Sequence, residues 1–144
     1  MRLAALAVVC AACATPRAYA PADDGAIRAV IDAQSVAWNH GDLDGYMAGY
    51  AHVPDLVFTS GGKVRRGWDE TIAKYRARYT PGTMGHLAFA ILAIQPLGAD
   101  GAIVLGRWRL TDTPNAGAGV FSLGFARTPA GWRIVHDHTS LDAP

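Results

Sequence analysis

Apolar side chains recur at helical spacing in two segments near the start of the chain. The first stripe falls on one helical face and consists of Ile27, Val30, Ile31 and Trp38, with the polar Gln34 at the same spacing. Asp23 and Asp24 precede it and Gly41 follows it, as acidic residues and glycine do at helix starts and ends. A second, shorter stripe follows Asp42 and consists of Leu43, Tyr46, Met47 and Tyr50. The pattern predicts two amphipathic helices that open the domain.

The middle of the chain changes from strand to helix periodicity. Segments 55–59 and 63–66 are short and are separated by Ser-Gly-Gly at 60–62, which predicts a hairpin. From residue 68 to residue 79 the spacing is helical again, and Thr-Pro-Gly follows at once. We therefore expect a third helix over 68–79.

Four long strands are predicted in the second half of the chain. They cover residues 85–97, 102–112, 119–127 and 131–141, and the gaps between them contain turn-forming residues. Consecutive long strands with short connections form an antiparallel meander, which has to curl and bury one face. We expect an α+β fold of order α-α-β-β-α-β-β-β-β. In this fold, three helices from the N-terminal half pack in a strongly curved, mostly antiparallel sheet.

The first twenty residues have the composition of a secretory signal. Arg2 supplies a positive start, residues 3–14 are apolar or small, and Ala-Tyr-Ala at 18–20 is an A-x-A cleavage signature. The apolar run is too short to span a bilayer, which takes about 20 residues. We expect cleavage of residues 1–20, export to the periplasm or the medium, and a single domain over residues 21–144.

Cys13 offers a competing interpretation of this leader. It follows two alanines, and lipidation there would anchor the protein to a membrane. Cys10 stands where a lipidation signal usually has leucine, so simple cleavage is favoured. Because both cysteines lie in the leader, the domain would contain no thiol. A cysteine nucleophile and cysteine-ligated zinc are then excluded.

The charge balance argues against nucleic acid as a partner. The whole chain has 13 basic and 12 acidic residues, and loss of Arg2 and Arg17 with the leader makes the domain slightly acidic. A surface that binds nucleic acid needs a clear basic excess. Gln95 and Pro96 interrupt the most hydrophobic later segment. We expect no nucleic acid and no membrane as partners unless Cys13 is lipidated.

Three short strings connect the chain to a known family. They are Trp-Asn-His-Gly-Asp at 38–42, Gly-Arg-Trp at 106–108, and Gly-Trp-Arg-Ile-Val-His-Asp-His-Thr-Ser at 131–140. With the element order, they resemble SnoaL-like domains of unknown function (the DUF4440 type) in the nuclear transport factor 2-like superfamily. The resemblance covers nearly the whole chain after the leader and implies a conical cavity. It implies no particular chemistry, since the superfamily contains ketosteroid isomerases, polyketide cyclases, dehydratases and binding modules.

The last predicted strand carries the densest group of chemically active side chains. Strict alternation puts one set, Trp132, Ile134, His136 and His138, opposite a second set, Arg133, Val135, Asp137 and Thr139. If the first set faces the cavity, His136 and His138 would bind a ligand oxygen, move a proton, or bind a metal with His86. The favoured alternative has one histidine lining the cavity or packing beside Trp132 and the other in water. We expect no metal and no cofactor.

Asp137 completes the candidate catalytic group with His136 and His138. A buried carboxylate has to find partners or raise its pKa. It would then act as a general base in the manner of the ketosteroid isomerases. Alternatively, it would pair with a neighbouring arginine, such as Arg107 or Arg109 on an adjacent strand, or accept backbone hydrogen bonds. Pairing is the favoured interpretation. The isomerases also use a tyrosine and a protonated aspartic acid, but no motif here fixes the equivalent positions.

Aromatic side chains dominate the elements that would face the cavity. Flat rings with polar tips suit an apolar pocket, although they also serve simply to fill one. The side chains expected to line the pocket are Trp38, Tyr46, Tyr50, Phe58, Tyr75, Tyr79, His86 and Trp108. A basic group either binds an anionic substrate or forms a solvated face, which is favoured. Its members are Arg65, Arg66, Lys74, Arg76 and Arg78.

These features predict an exported pocket protein that binds a small apolar or aromatic molecule. Its activity would be cofactor-free proton transfer of the isomerase, cyclase or dehydratase type. The alternative is a non-catalytic module for dimerisation or for carrying a ligand. Apolar side chains on the outer face of the sheet, such as Val135, favour a homodimer.

Overall fold

The computed structural model describes residues 17–142 and contains three α-helices and six strands in that range. The helices are α1 (Pro21–Asn39), α2 (Leu43–Met47) and α3 (Trp68–Arg78), and a 3-10 turn at Pro81–Thr83 follows α3. The strands are β1 (Val57–Ser60), β2 (Lys63–Arg66), β3 (His86–Pro96), β4 (Gly101–Thr111), β5 (Gly117–Thr128) and β6 (Gly131–Leu141). The predicted α+β class and element order are confirmed.

All six strands form one mixed sheet in the order β2-β1-β6-β5-β4-β3. The four long strands are antiparallel neighbours in sequence order, as their short turns allow. β1 pairs antiparallel with β2 and parallel with β6. The parallel pairing places Phe58 beside Asp137 and Ser60 beside Thr139. The short hairpin therefore extends the sheet next to the last strand.

The helix α1 packs into the concave side of the sheet through its predicted apolar stripe. Ile31 and Trp38 are almost completely buried. The helix contacts β3 at one edge of the sheet and β6 in its middle, so the sheet curves around it. Trp38 Nε1 donates to Met84 O at 2.9 Å, and Asn39 exchanges two hydrogen bonds with the backbone of Leu87. These bonds fix the end of α1 at the start of β3.

Two of the long strands contain a bulge that changes which side chains face the helices. In β6, Ile134 and His136 pair with two adjacent residues of β5, so Val135 between them is an extra residue. In β3, the pairing skips Leu92 in the same way. An inserted residue breaks the two-residue alternation of a strand. Side chains beyond each bulge therefore face the side opposite to the one that strict alternation predicts.

The start of α1 is tied to the sheet through the buried carboxylate of Asp23. Its Oδ1 accepts from Arg127 Nη1 at 2.8 Å and from Trp132 Nε1 at 3.2 Å, and its Oδ2 accepts from the Ala20 N–H at 2.9 Å. The hydrogen bond from Arg127 holds the pKa of Asp23 well below its usual range. Tyr19 packs its ring against Trp132, with centroids 5.8 Å apart. The two residues before α1 thus contribute to the fold.

The predicted strand boundaries differ from the observed ones by at most two residues. Most of the predicted leader, including Cys10 and Cys13, lies outside the described residues. Between residues 17 and 142, none of the helices has the length and apolar character needed to cross a bilayer.

Candidate functional site

A cavity of about 380 Å³ lies between the helices and the concave face of the sheet. Helices contribute Trp38, Tyr46 and Tyr75 to its wall, and the sheet contributes Phe58 and Asp137. Pockets that hold small ligands have volumes of about 300–1,000 Å³ and mostly apolar walls with a few polar groups. The cavity has the size and composition of such a site.

The cavity has a buried end and an exposed end. Tyr50 and Asp137 lie at the buried end, where they are 3% and 4% exposed. Lys74, Arg78 and Pro114 line the cavity where it reaches solvent, and all three are exposed. The helix α3 and the loop between β4 and β5 therefore form the mouth, and Asp137 lies on the floor.

Asp137 makes two hydrogen bonds at the floor of the cavity. Tyr50 Oη donates to its Oδ2 at 2.7 Å, and Thr139 Oγ1 donates to its Oδ1 at 2.8 Å. Tyr46 Oη lies 3.4 Å from Tyr50 Oη and continues the network. Each carboxylate oxygen has two lone pairs, so both oxygens of Asp137 retain capacity to accept a further proton or hydrogen bond.

The position of Tyr50 follows from a short contact between the end of α2 and β6. Tyr50 forms an isolated parallel bridge with Ile134. Ala51 N–H donates to Ile134 O at 2.8 Å, and Ile134 N–H donates to Gly49 O at 3.0 Å. This pairing places the Tyr50 side chain over the strand that carries Asp137.

Burial raises the pKa of the Asp137 carboxyl to about 6. Removal from water disfavours the charged form, whereas the hydrogen bonds from Tyr50 and Thr139 and the nearby His138 favour it. Burial is the largest of these effects. A carboxyl whose pKa lies this close to neutral pH is suited to taking up and releasing a proton.

The tyrosines around Asp137 are held in the neutral form. Burial raises the pKa of Tyr46 to about 12, and it raises the pKa values of Tyr50 and Tyr75 well above the usual range. The charge of Asp137 acts in the same direction on all three. The floor therefore combines one titratable carboxyl with phenols that act as hydrogen-bond donors.

The structure places seven of the eight expected lining side chains around the cavity, namely Trp38, Tyr46, Tyr50, Phe58, Tyr75, Tyr79 and Trp108. His86 is exposed at the start of β3 and does not line the cavity. Its neighbour Leu87 faces inward instead. The expectation for His86 is therefore wrong, because strand β3 presents the adjacent residue to the helices.

The prediction that His136 and His138 project into the cavity is wrong. Both are exposed on the outer face of the sheet, while Asp137 between them is buried and lines the cavity. The bulge at Val135 is the reason. Trp132 and Ile134 face inward before it, and Asp137 faces inward after it. The three candidate catalytic residues are thus divided between the two faces.

The favoured interpretation, that Asp137 pairs with an arginine, is wrong. Arg107 Nη2 instead donates to both carboxylate oxygens of Asp142, and Arg109 is exposed on β4. The partners that the sequence analysis missed are Tyr50 and Thr139. Thr139 was predicted to share the face of Asp137, but nothing local in the sequence indicates the contact with Tyr50.

The basic group divides between the cavity and solvent. Arg65, Lys74 and Arg78 line the cavity. Arg66 and Arg76 are exposed and do not line it. The solvated-face interpretation therefore fits the four exposed members, although Lys74 and Arg78 also line the cavity, and it does not fit the half-buried Arg65.

Between residues 17 and 142, no group of three or more His, Cys, Asp or Glu residues lies together. His136 and His138 face away from the cavity, as does His86. The polar groups around Asp137 include the phenols of Tyr46 and Tyr50 and the hydroxyl of Thr139, which suit acid–base chemistry on an organic ligand.

The fold and the enclosed pocket define the class of protein. A curved sheet that wraps three helices and leaves a cavity between the two layers is the nuclear transport factor 2-like fold. Residues 27–144 match the model of the SnoaL-like domain family, and the chain belongs to that family. The search of curated proteins found no match.

Solved structures of similar proteins agree with this assignment. An NTF-2 like protein of unknown function from Shewanella oneidensis MR-1 is 40% identical, with 81% of this chain and 98% of that chain covered and a TM-score of 0.78. A ketosteroid isomerase-like protein from Erwinia carotovora atroseptica is 21% identical, with coverages of 83% and 96% and a TM-score of 0.63. A putative calcium/calmodulin-dependent protein kinase type II association domain from Thiobacillus denitrificans is 22% identical, with coverages of 90% and 100% and a TM-score of 0.66. The last two similarities concern the fold alone.

Proposed function

We propose that this protein binds a small apolar or aromatic molecule in the cavity and that Asp137 transfers a proton on it without a cofactor. The observation that carries the proposal is the placement of one buried carboxyl on the floor of a cavity with aromatic walls. Tyr50 holds that carboxyl at 2.7 Å, and neutral tyrosines surround it. This combination supplies a base and hydrogen-bond donors within one enclosed space.

The proposed chemistry is isomerisation by proton transfer next to a carbonyl group. The ionised carboxylate of Asp137 takes a proton from a carbon beside the carbonyl, and the electron pair of the C–H bond moves to form an enolate. A phenol such as Tyr46 or Tyr75 donates a hydrogen bond to the enolate oxygen. In a substrate with a β,γ double bond, Asp137 then returns the proton to the γ-carbon, and the double bond shifts to the α,β position as the carbonyl is restored. No atom is gained or lost, and nothing is oxidised.

Exchange of the α-hydrogens of 2-tetralone tests this proposal. This bicyclic aromatic ketone is placed in D₂O with the protein, and loss of the α-proton signals is followed by NMR. We expect exchange faster than in buffer, with a rate that rises as Asp137 ionises through pH about 6. Asp137→Asn should lower the protein-dependent rate by about 100-fold or more. Binding of 2-tetralone, measured by calorimetry, should persist in the variant.

Asp112→Asn is the matched control because Asp112 is an exposed carboxylate on the loop after β4. Its left-handed backbone (φ 58°) is one that asparagine tolerates. This variant should exchange 2-tetralone at the wild-type rate. Equal rates for wild type and Asp137→Asn would end the catalytic proposal.

A ligand carrier without catalysis is the second candidate function. Both oxygens of Asp137 already accept hydrogen bonds from protein groups, which also suits a purely structural or ligand-anchoring carboxyl. This candidate predicts that 2-tetralone binds to the wild type without accelerated exchange. The same experiment therefore separates the two functions.

We also propose a homodimer formed through the outer face of the sheet. Leu92, Ile103 and Leu105 are 58%, 40% and 39% exposed there. Four strands of about 11 residues present about 700 Å² at ordinary strand spacing, close to the roughly 800 Å² per partner of a stable interface. Leu105→Glu should convert a dimer to a monomer in sedimentation velocity, whereas Val36→Glu on α1 should not. A monomeric wild type at high micromolar concentration would exclude the dimer.

Export remains part of the proposal. It is supported by the apolar run at 3–14 and the A-x-A tripeptide at 18–20. N-terminal sequencing of protein recovered from the periplasm or medium of an expressing bacterium is the test. Recovery only from the cytoplasm with the full N-terminus would count against it.

A further inference from the structure

Three basic side chains line the cavity, and two of them, Lys74 and Arg78, are exposed at its mouth. Arg65 comes from β2, and Lys74 and Arg78 lie four residues apart on α3. Residues at that spacing are neighbours on one face of a helix. Arg65 is half-buried with its guanidinium over the ring of Phe58, 5.4 Å from the centroid. The cavity therefore receives positive charge from two different elements.

These cations are not matched by acidic partners in the described part of the chain. Arg76 on the same helix bonds Asp44 at 2.6 Å. Across residues 17–142, by contrast, no carboxylate forms an ion pair with Arg65, Lys74 or Arg78. A surface that only needed solubility would mix both signs of charge. Here the lining of the mouth has one sign.

The one acidic side chain among the described lining residues is Asp137, at the opposite end of the cavity. Arg78 makes a neutral contact across the mouth, with Nε donating to Asn115 Oδ1 at 3.0 Å. Its terminal nitrogens remain free of hydrogen bonds within residues 17–142. The cavity is thus polarised, with cations at the mouth, aromatic walls, and a carboxyl on the floor.

From this arrangement we infer that the ligand is an apolar or aromatic carboxylic acid whose carboxylate stays at the mouth. The inference rests on the proposed function, because it concerns the ligand of the same cavity. A carboxylate on the floor would lose its hydration and be repelled by the ionised Asp137. At the mouth it keeps contact with water and gains Arg65, Lys74 and Arg78. The reacting end of the molecule then reaches Asp137.

Two probes of the same shape distinguish the contribution of the ligand's carboxylate to binding from the contribution of its rings. They are 2-naphthoate, which carries a carboxylate, and 2-naphthamide, which is its neutral counterpart. Calorimetric titration of the wild-type protein at low salt should show that 2-naphthoate binds about tenfold more tightly than 2-naphthamide. This preference is expected because the contributions of a few exposed charge contacts add up. High salt should shrink this preference, because exposed charges are screened.

The chain supplies matched controls for each basic residue. Arg65→Gln, Lys74→Gln and Arg78→Gln should each weaken 2-naphthoate binding about two- to fivefold. They should leave 2-naphthamide binding unchanged, which a folding defect would not do. Arg66 follows Arg65 in β2, and Arg76 lies on the same helix as Lys74 and Arg78, but neither lines the cavity. Arg66→Gln and Arg76→Gln should therefore leave the affinities for both probes unchanged.

Failure of the inference and failure of the proposed function give different results. Equal affinity of the wild type for the two probes overturns the inference. Equal losses in Arg65→Gln and Arg66→Gln also overturn it. In either case the proposed function stands if 2-naphthamide binds and competes with 2-tetralone. If neither naphthalene probe nor 2-tetralone binds, the cavity takes no such ligand and both proposals fall.

Discussion

Tyr50 and Asp137 stand 87 positions apart in the chain, and the phenol of Tyr50 donates a 2.7 Å hydrogen bond to the carboxyl of Asp137. Both side chains are buried, so the bond is shielded from water. Hydrogen bonds to an ionised group are stronger than neutral ones, and more so where the dielectric is low. The contact therefore tunes the pKa of the carboxyl on the cavity floor.

Tyr50→Phe should raise the pKa of Asp137. The substitution keeps the ring and the burial, but removes a donor that favours the ionised carboxylate. Carboxyl ¹³C NMR titration of protein labelled at aspartate measures the shift. Tyr79→Phe is the control, because Tyr79 lines the cavity without a hydrogen bond to Asp137. An unchanged or lower pKa in Tyr50→Phe would contradict the assigned role of Tyr50.

Asp137 should make the folded state less stable as pH rises. Its pKa is about 6 in the folded protein and 3.8 as a free side chain, so the folded state binds the proton more tightly. Its contribution to the free energy of unfolding therefore falls between about pH 4 and pH 6 and is constant above that. Asp137→Asn removes this titration. The variant's stability relative to wild type should rise by about 3 kcal/mol across that range.

Urea unfolding of both proteins at about pH 4, 5, 6 and 7 measures this difference. Comparison of the two chains removes the contributions of the other titratable groups, which they share. A stability difference that does not vary with pH would show that Asp137 titrates normally.

Much of the fold follows from local patterns in the sequence. The stripe that ends at Trp38 and the turns at 98–101 and 128–130 each act over a few residues, so they mark helices and strands without knowledge of distant contacts. The predicted order and most boundaries were correct for that reason. The capping contacts of Asp23 with Arg127 and Trp132 were missed, because they join segments more than 100 residues apart.

The candidate site was only partly predictable. Strict alternation along the last strand predicts its inward face, and it puts Asp137 on the opposite face. Val135 interrupts that alternation, and a bulge is visible only once the strand is paired with its neighbour. His136 and His138 were assigned to the cavity for this reason. Which of Arg65 and Arg66 lines the cavity likewise depends on how β2 lies in the sheet.

Gly106→Ala should destabilise the protein. A Cβ at this position would lie 2.2 Å from Phe121 Cζ and 2.8 Å from Ala90 O. Relief of that clash has to move Phe121, which lines the cavity, so we expect a loss of about 1–3 kcal/mol. Gly25→Ala on the exposed side of α1 meets nothing within 4 Å and should be stabilising by about 0.5–1 kcal/mol. Urea unfolding of both variants measures the contrast, and equal effects would contradict the packing at Gly106.

A chain that begins at Pro21 should be less stable than one that begins at Arg17. The shorter chain lacks the Tyr19 ring packed on Trp132 and the Ala20 N–H that donates to Asp23. Loss of an aromatic contact and of a helix-start hydrogen bond costs about 1–2 kcal/mol. Thermal unfolding of the two chains at one pH measures the difference.

The longer chain with Tyr19→Phe serves as the control for this truncation. It keeps the ring contact with Trp132 and loses only the hydroxyl that donates to Asp24 at 2.5 Å. Its stability should therefore lie between those of the two chains. Equal melting temperatures for all three would contradict a stabilising role for the contacts that Tyr19 and Ala20 make with Trp132 and Asp23.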